Sequence, residues 1–304
     1  MKVIEDSFNG PFHLSILGLG YEKRALERFT QERSNLGDVL VLGYNKHNET
    51  PQYKENKLNY SDSKASIFEG DDVEIRLYTR EWLDSKIKSK AQQLNVLIDI
   101  TVLSRSRLSA LLYELIIALP AGSTLTISYE ISQFVSAPEG LSPIKTVGDV
   151  IPELSGAIGD LTKPTSLVLG LGYENGKAIG LANYIDSEHI FVFLPIGIDS
   201  RFDESVLQNN KAILNEVPSS RIIKYRLDQP YNTYLDMRDL VNAVSKSTSP
   251  LLAPLGPKIL TALSVLVSLE FGAQIPVWRV SSELEEQPVD RKASGYSISI
   301  TVHI

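Results

Sequence analysis

Two identical hexapeptides carry the most evident chemistry in this chain. Leu17-Gly-Leu-Gly-Tyr-Glu22 recurs unchanged as Leu169-Gly-Leu-Gly-Tyr-Glu174. In each copy two glycines, Gly18 and Gly20 or Gly170 and Gly172, stand between an apolar run and a helix-like stretch. Glycines there let the backbone turn sharply and aim N–H groups at a helix start, a setting for an anion or a ribose. The turn is not the three-glycine dinucleotide fingerprint, because Tyr21 and Glu22, or Tyr173 and Glu174, occupy the place where phosphates would need room. A plain strand-to-helix turn retained from a common ancestor is the other reading. It accounts for the glycines but requires neither Tyr nor Glu. Glu22 and Glu174 are candidates to hold a ribose hydroxyl, to cap a helix, to meet across a twofold axis or, in a hydrolase, to act as general base.

A second group of candidates lies before two long apolar helices. Ser104, Arg105, Ser106 and Arg107 open one, and Gly256-Pro-Lys258 opens the other. Exposed N–H groups together with an ammonium or arginine forks suit phosphate or carboxylate. A capped, solvated helix end is the alternative, although cations at an N-terminus oppose the helix dipole. Asp99, just upstream, is a partner for one of the arginines. Asn45 and Lys46 in one half, and Asp199, Ser200 and Arg201 in the other, follow a second strand and read as reachable loops or as ordinary solvated ones.

The elements that must position these residues repeat with the hexapeptide, 152 residues apart as measured from Gly18 to Gly170. Strands are expected at 13–17 and 166–169, 38–44 and 189–195, 73–78 and 222–227, 95–100 and 250–254, and 124–130 and 274–280. Sixth strands are expected at 144–147 and 296–302. Helices are expected at 23–33 and 177–185, and at 105–118 and 257–271. Residues 45–70 are the longest stretch of low hydrophobicity, with a mobile loop expected at 61–72. Strands alternating with helices, the inner strands nearly all apolar, call for an α/β fold: two doubly wound, mostly parallel Rossmann-like sheets. The lobes are expected at 1–150 and 151–304, arranged as a pseudo-dimer by internal duplication, with a linker at 149–164 carrying Pro152, Gly156, Gly159 and Pro164.

Composition sets the outer limits. A chain of 304 residues, 43% hydrophobic, is about two domains' worth and needs no staple to build its cores. Thirty Lys+Arg against 37 Asp+Glu give a formal charge of −7, which argues against broad nucleic-acid binding and leaves a local basic pocket open. Zero cysteines exclude disulfides, thiolate nucleophiles and Cys-ligated metals, and His13, His47, His189 and His303 are too dispersed for a metal site. No signal peptide or membrane span is evident, so the expected location is the cytoplasm. P-loop, HExxH, GxSxG, kinase and EF-hand motifs are absent, and no cofactor is implied. Trp82, Tyr129, Trp278 and Tyr296 read as core or rim rather than as a base-stacking platform.

The turn Gly256-Pro-Lys258, leading into an apolar, alanine-containing helix and a strand through Val280, resembles the last β-α-β unit of CARF domains. These are Rossmann-like sensors of cyclic oligoadenylates in CRISPR immunity. Two such halves in one chain are similar to the SAVED domains of bacterial anti-phage signalling. The first half lacks the Gly-x-Lys turn, and Pro257 stands where the family has a small or hydroxyl residue. The resemblance implies ligand contact for Gly256 and Lys258, and effector activity either in a protein partner or in these halves. The leading expectation is a two-lobed sensor or accessory protein for a nucleotide or nucleotide-derived anion, not an enzyme. The alternatives are a hydrolase, ring-nuclease-like or N-glycosidic, and a non-catalytic assembly subunit. Further oligomerisation is left open.

Overall fold

The computed structural model describes every residue except 6, 64, 91–92, 138–139, 141–143, 145, 158–161 and 282–288, together with the side chains of 89–90. In chain order the first elements are β1 (Lys2–Ile4), β2 (Leu14–Gly18), α1 (Glu27–Glu32), β3 (Asp38–Tyr44), α2 (Pro51–Ser61), β4 (Ser66–Gly70), α3 (Asp72–Lys90), β5 (Asn95–Asp99), α4 (Arg105–Ala118), β6 (Thr124–Ser132) and β7 (Thr146–Asp149). There follow β8 (Thr165–Gly170), α5 (Lys177–Ile185), β9 (His189–Ile196), α6 (Ser200–Asn209), α7 (Lys211–Glu216), β10 (Ile222–Arg226), α8 (Pro230–Val244), β11 (Ser249–Pro254), α9 (Lys258–Glu270), β12 (Trp278–Ser281) and β13 (Ala293–His303). The chain is a mixed α/β protein divided into two units, Met1–Gln133 with Gln287–Ile304, and Phe134–Glu286.

In the first unit the sheet order is β1-β13-β6-β5-β2-β3-β4, with β6 through β4 parallel and β13 and β1 antiparallel at one side. Helices cover the central strands on both faces, which is why all five residues of β2 are buried. Leu17, Leu97, Val41 and Leu36 form a core with Phe29 of α1 and with Tyr53 and Tyr60 of α2. In the second unit the order is β10-β9-β8-β11, all parallel, and Val277 adds a parallel bridge to Leu252. Its core joins Leu167, Leu169, Val192 and Leu251 to Leu181 of α5, Val206 of α6 and Ile213 of α7. Helix α9 is buried over every residue from Ile259 to Ser268, as its apolar sequence requires.

Three sequence expectations are corrected. The strand expected at 73–78 is the start of α3, and the third strand lies earlier, at β4, inside the stretch taken for a mobile loop. The alternation of Val73, Ile75 and Leu77 misleads because only Ile75 is buried. Val73 and Leu77 are exposed, and the buried set Ile75, Thr79, Trp82, Leu83 has helical spacing. Asp71 starts this helix by accepting from the N–H groups of Val73 and Glu74, while Glu74 accepts from the N–H of Asp71, a reciprocal cap. Residues 51–61, inside the stretch of low hydrophobicity, form α2, capped by Thr50 with Pro51 in the first turn.

The third correction concerns the last strands. β13 does not stay with the second half of the sequence: it pairs with β6 of the first unit, while β7 pairs with β12 of the second. The residue pattern fits this pairing. Ile298, Ile300 and Val302 lie opposite Tyr129, Ile127 and Leu125, while Ser299 and Thr301 lie opposite Ser128 and Thr126, so apolar meets apolar and polar meets polar. Of the expected linker, residues 158–161 with Gly159 lie outside the described residues, as does residue 145 of the expected strand at 144–147. Pro152–Leu154 forms a short 3-10 turn.

Candidate functional site

The glycine turns sit at the carboxyl ends of β2 and β8, beside the loops that follow β5 and β11. Parallel sheets of this kind bind ligands at that edge. Here much of the space is filled by protein. A Cβ on Gly18 would come within 2.5 Å of Val102 Cγ2, and one on Gly170 within 2.2 Å of Leu260 Cδ2. In the second unit the approach is backbone to backbone: a Cβ on Gly172 would lie 2.6 Å from Leu255 O, and one on Gly256 2.5 Å from Leu171 O. These glycines close two loops against each other.

An asparagine pins each turn, a role that sequence reasoning missed. Asn56 Nδ2 of α2 donates to Gly20 O (2.8 Å) and Glu22 O (3.0 Å), and Asn210 Nδ2 donates to Gly172 O (2.7 Å). Both side chains are buried. Tyr21 packs edge-on against His47, and Tyr173 lies tilted against Phe202. Glu22 accepts from Arg24 Nε at 2.6 Å, while Glu174 lies 3.9 Å from Lys177 Nζ.

The helix starts differ from one another. Ser104 caps α4 by accepting from Arg107 N at 3.1 Å, and Ser104 N donates to Tyr44 Oη. Arg107, read as a ligand fork, is buried and committed to the protein. It donates to Gly43 O (2.8 Å), Gly70 O (3.0 Å) and Asp72 Oδ1 (2.9 Å), and its guanidinium lies 3.7 Å from the centre of the Tyr44 ring. It ties the ends of β3 and β4 to α4. Arg105 and Lys258 are half-buried in the first turns of α4 and α9, and Gly256 is buried. Of the loops after the second strands, Asn45 and Lys46 are exposed, and Arg201 is held bidentately by Asp199 next to exposed Ser200.

The structure also assembles a charged group that no motif announced. Arg24 and Arg28, four residues apart on the 3-10 turn Lys23–Leu26 and α1, are buried, as are Asp99 at the end of β5 and Glu130 on β6. Arg24 Nη1 donates to Glu130 O at 2.7 Å, and Arg28 Nη1 lies 3.1 Å from Glu32 Oε1. Asp99 Oδ1 accepts from the N–H and the hydroxyl of Thr101. Glu130 Oε1, Ser128 Oγ and Arg28 Nε and Nη2 are buried without hydrogen-bond partners.

The electrostatics follow from these pairings. Glu22 and Glu32 already balance Arg24 and Arg28, so Asp99 and Glu130 are surplus carboxylates in a dry place. Burial, aided by the charge of Asp99 and opposed by Arg28, pushes Glu130 up to about 7. Burial also raises Asp99, against the hydrogen bonds from Thr101 and the charges of Arg28 and Arg24. The available signals were the polar residues Thr126, Ser128 and Glu130 alternating through a central strand, and two arginines at helical spacing after the first hexapeptide.

Among the described residues, no group of three or more His, Asp or Glu is arranged to hold a metal ion, and no helix is long and apolar enough to cross a membrane. No family model and no curated protein sequence matches the chain. Among solved structures, the cytoplasmic domain of a prokaryotic cation chloride cotransporter is 12% identical, with a TM-score of 0.26 over 90% of this chain and 97% of that one. Phosphoethanolamine N-methyltransferase 1 of Haemonchus contortus is 10% identical, with a TM-score of 0.25 over 82% of this chain and 70% of that one. Neither likeness bears on fold or function at these scores.

Proposed function

We propose that the chain is a two-lobed, cytoplasmic ligand-binding module, descended by duplication from one Rossmann-like half, that recognises a nucleotide or nucleotide-derived anion. It acts as a sensor or accessory subunit whose output lies in a protein partner, in keeping with its resemblance to the CARF and SAVED domains of anti-phage systems. The observation that carries the reading is a repeated arrangement. In each unit the strands run third-second-first-fourth, and the first-strand turn meets the loop after the fourth strand at the carboxyl edge, where a helix start bears a cation, Arg105 or Lys258. The paired asparagines Asn56 and Asn210 support the common origin, since each binds the same turn in its own unit.

Of the residues first considered, Arg105, Gly256 and Lys258 keep the ligand role in this reading. Gly18, Gly20, Gly170, Gly172, Ser104 and Arg107 build the edge on which they stand. Calorimetry of the full chain with AMP and with cyclic tri- and tetra-adenylate tests the proposal. Lys258→Ala combined with Arg105→Ala should remove binding while leaving circular dichroism unchanged, each substitution alone removing the share of its own unit. Absence of binding to all three nucleotides, or equal affinity in both variants, overturns it.

A further inference from the structure

The two copies of the hexapeptide diverge at the residues that follow them. At the offset of the repeat, Lys23-Arg24 in the first unit corresponds to Asn175-Gly176 in the second. Arg24 continues a 3-10 turn and is buried, whereas Gly176 starts α5 as a left-handed cap, with φ 81° and ψ −14°. Those angles belong to the third residue of a type II turn, a place that favours glycine. Asn175 is exposed, and among the described residues neither its side chain nor the N–H of Gly176 makes a hydrogen bond. Of the chain's asparagines, only Asn9 and Asn175 precede a glycine; each of the others is followed by a residue with a side chain, which crowds the next peptide nitrogen.

We propose that Asn175 is a site of spontaneous deamidation, a slow, solvent-driven modification that gives the second hexapeptide turn a charge the first does not acquire. The chemistry needs only what this turn supplies. The Gly176 nitrogen gives up its proton to hydroxide from solvent and bonds to Asn175 Cγ; the Cγ–Nδ2 bond breaks, and Nδ2 leaves as ammonia with a proton taken from water. The succinimide ring so formed adds one water. Opening of its Cγ–N bond yields aspartate, and opening of the bond from the main-chain carbonyl to nitrogen yields isoaspartate, whose backbone runs through Cγ. One water is consumed and one ammonia released, with no oxidant, reductant or enzyme required. A hydrogen bond on the N–H would resist the first step, and a Cβ on residue 176 would crowd the ring closure; Gly176 presents neither obstacle. The products act on their neighbours in different ways. Aspartate puts a carboxylate in sequence between Glu174 and Lys177, themselves 3.9 Å apart, at the start of α5, where negative charge is favoured. Isoaspartate instead lengthens the backbone of a turn that Asn209 Nδ2 holds at Tyr173 O (2.6 Å) and Asn210 Nδ2 at Gly172 O (2.7 Å). The inference does not depend on Arg105 or Lys258, and it stands or falls apart from the nucleotide reading.

The test ages the folded, full chain in warm, mildly alkaline buffer and maps its tryptic digest by mass spectrometry. The peptide that ends at Lys177 contains no other asparagine or glutamine. It is expected to gain, with time, the mass change of amide to carboxyl and to separate into aspartate and isoaspartate forms, the second of which accepts a methyl group from protein isoaspartyl methyltransferase. Asn175→Ala alters an exposed side chain and should leave circular dichroism unchanged while both signals are lost from that peptide. The proposal is overturned if Asn175 keeps its amide in the folded chain; the same chain held unfolded in urea then shows whether the turn protects it or the dipeptide is itself inert. It is equally overturned if the folded chain gains mass only at Asn9, or if methyl acceptance persists undiminished in Asn175→Ala.

Discussion

Replacing Glu130 by glutamine should change how stability depends on pH, and in a stated direction. Glu130 is 1% exposed, and its carboxyl rises from the ordinary 4.5 to about 7, chiefly because burial penalises the charge. Between those values the unfolded chain releases the proton and the folded chain keeps it, so the folded state loses stability as pH rises. Each pH unit costs about 1.4 kcal/mol, and the whole interval about 3 kcal/mol, with a plateau above pH 7. The stabilisation is therefore complete below pH 4.5 and gone above 7. Glutamine has the same shape and does not titrate, so the difference between parent and Glu130→Gln isolates this proton. The chain has two tryptophans, Trp82 in the first unit and Trp278 in the second. A Trp278→Phe background lets Trp82 fluorescence report urea unfolding of the unit that holds Glu130. Parent minus variant stability should fall by about 3 kcal/mol from pH 4.5 to 8. A difference that is flat, or that grows with pH, refutes the assignment of a protonated, buried Glu130.

Three further outcomes follow from the packing. Arg107→Met should cost about 3 kcal/mol in the first unit, because Gly43 O and Gly70 O lose their donor in a buried place; urea titration followed by Trp82 fluorescence measures it. Gly256→Ala should destabilise the second unit by about 2 kcal/mol, since its methyl meets the fixed carbonyl of Leu171, and Trp278 fluorescence in a Trp82→Phe background reads it. Val73→Glu should stay within about 0.5 kcal/mol of the parent, whereas Ile75→Glu should cost more than about 3 kcal/mol, as the helical register of α3 requires; equal effects in urea titration would favour a strand there.

The difference between what the residues disclosed and what they hid is a matter of range. The hexapeptide repeat and the apolar runs act locally, so they located β2, β3, β5 and β6 and their counterparts β8, β9 and β11 within a few residues. α3 misled because Val73, Ile75 and Leu77 alternate in sequence, while burial follows Ile75, Thr79 and Leu83. The glycines were visible, but their cause was not: the atoms they make room for belong to Val102 and Leu255, more than eighty residues away. The same holds for β13, whose alternation states that one face is polar without naming the strand it joins. Only pairing with β6 sets Ser299 beside Ser128 and so makes a continuous polar row out of two unremarkable strands. That row accounts for Glu130 more fully than the acid's position alone does. A lone glutamate in a central strand would be a folding liability, but here Asp99 and Arg28 act on its charge within one buried polar cluster. Its raised affinity for a proton follows from that burial and from the charge of Asp99, opposed by Arg28.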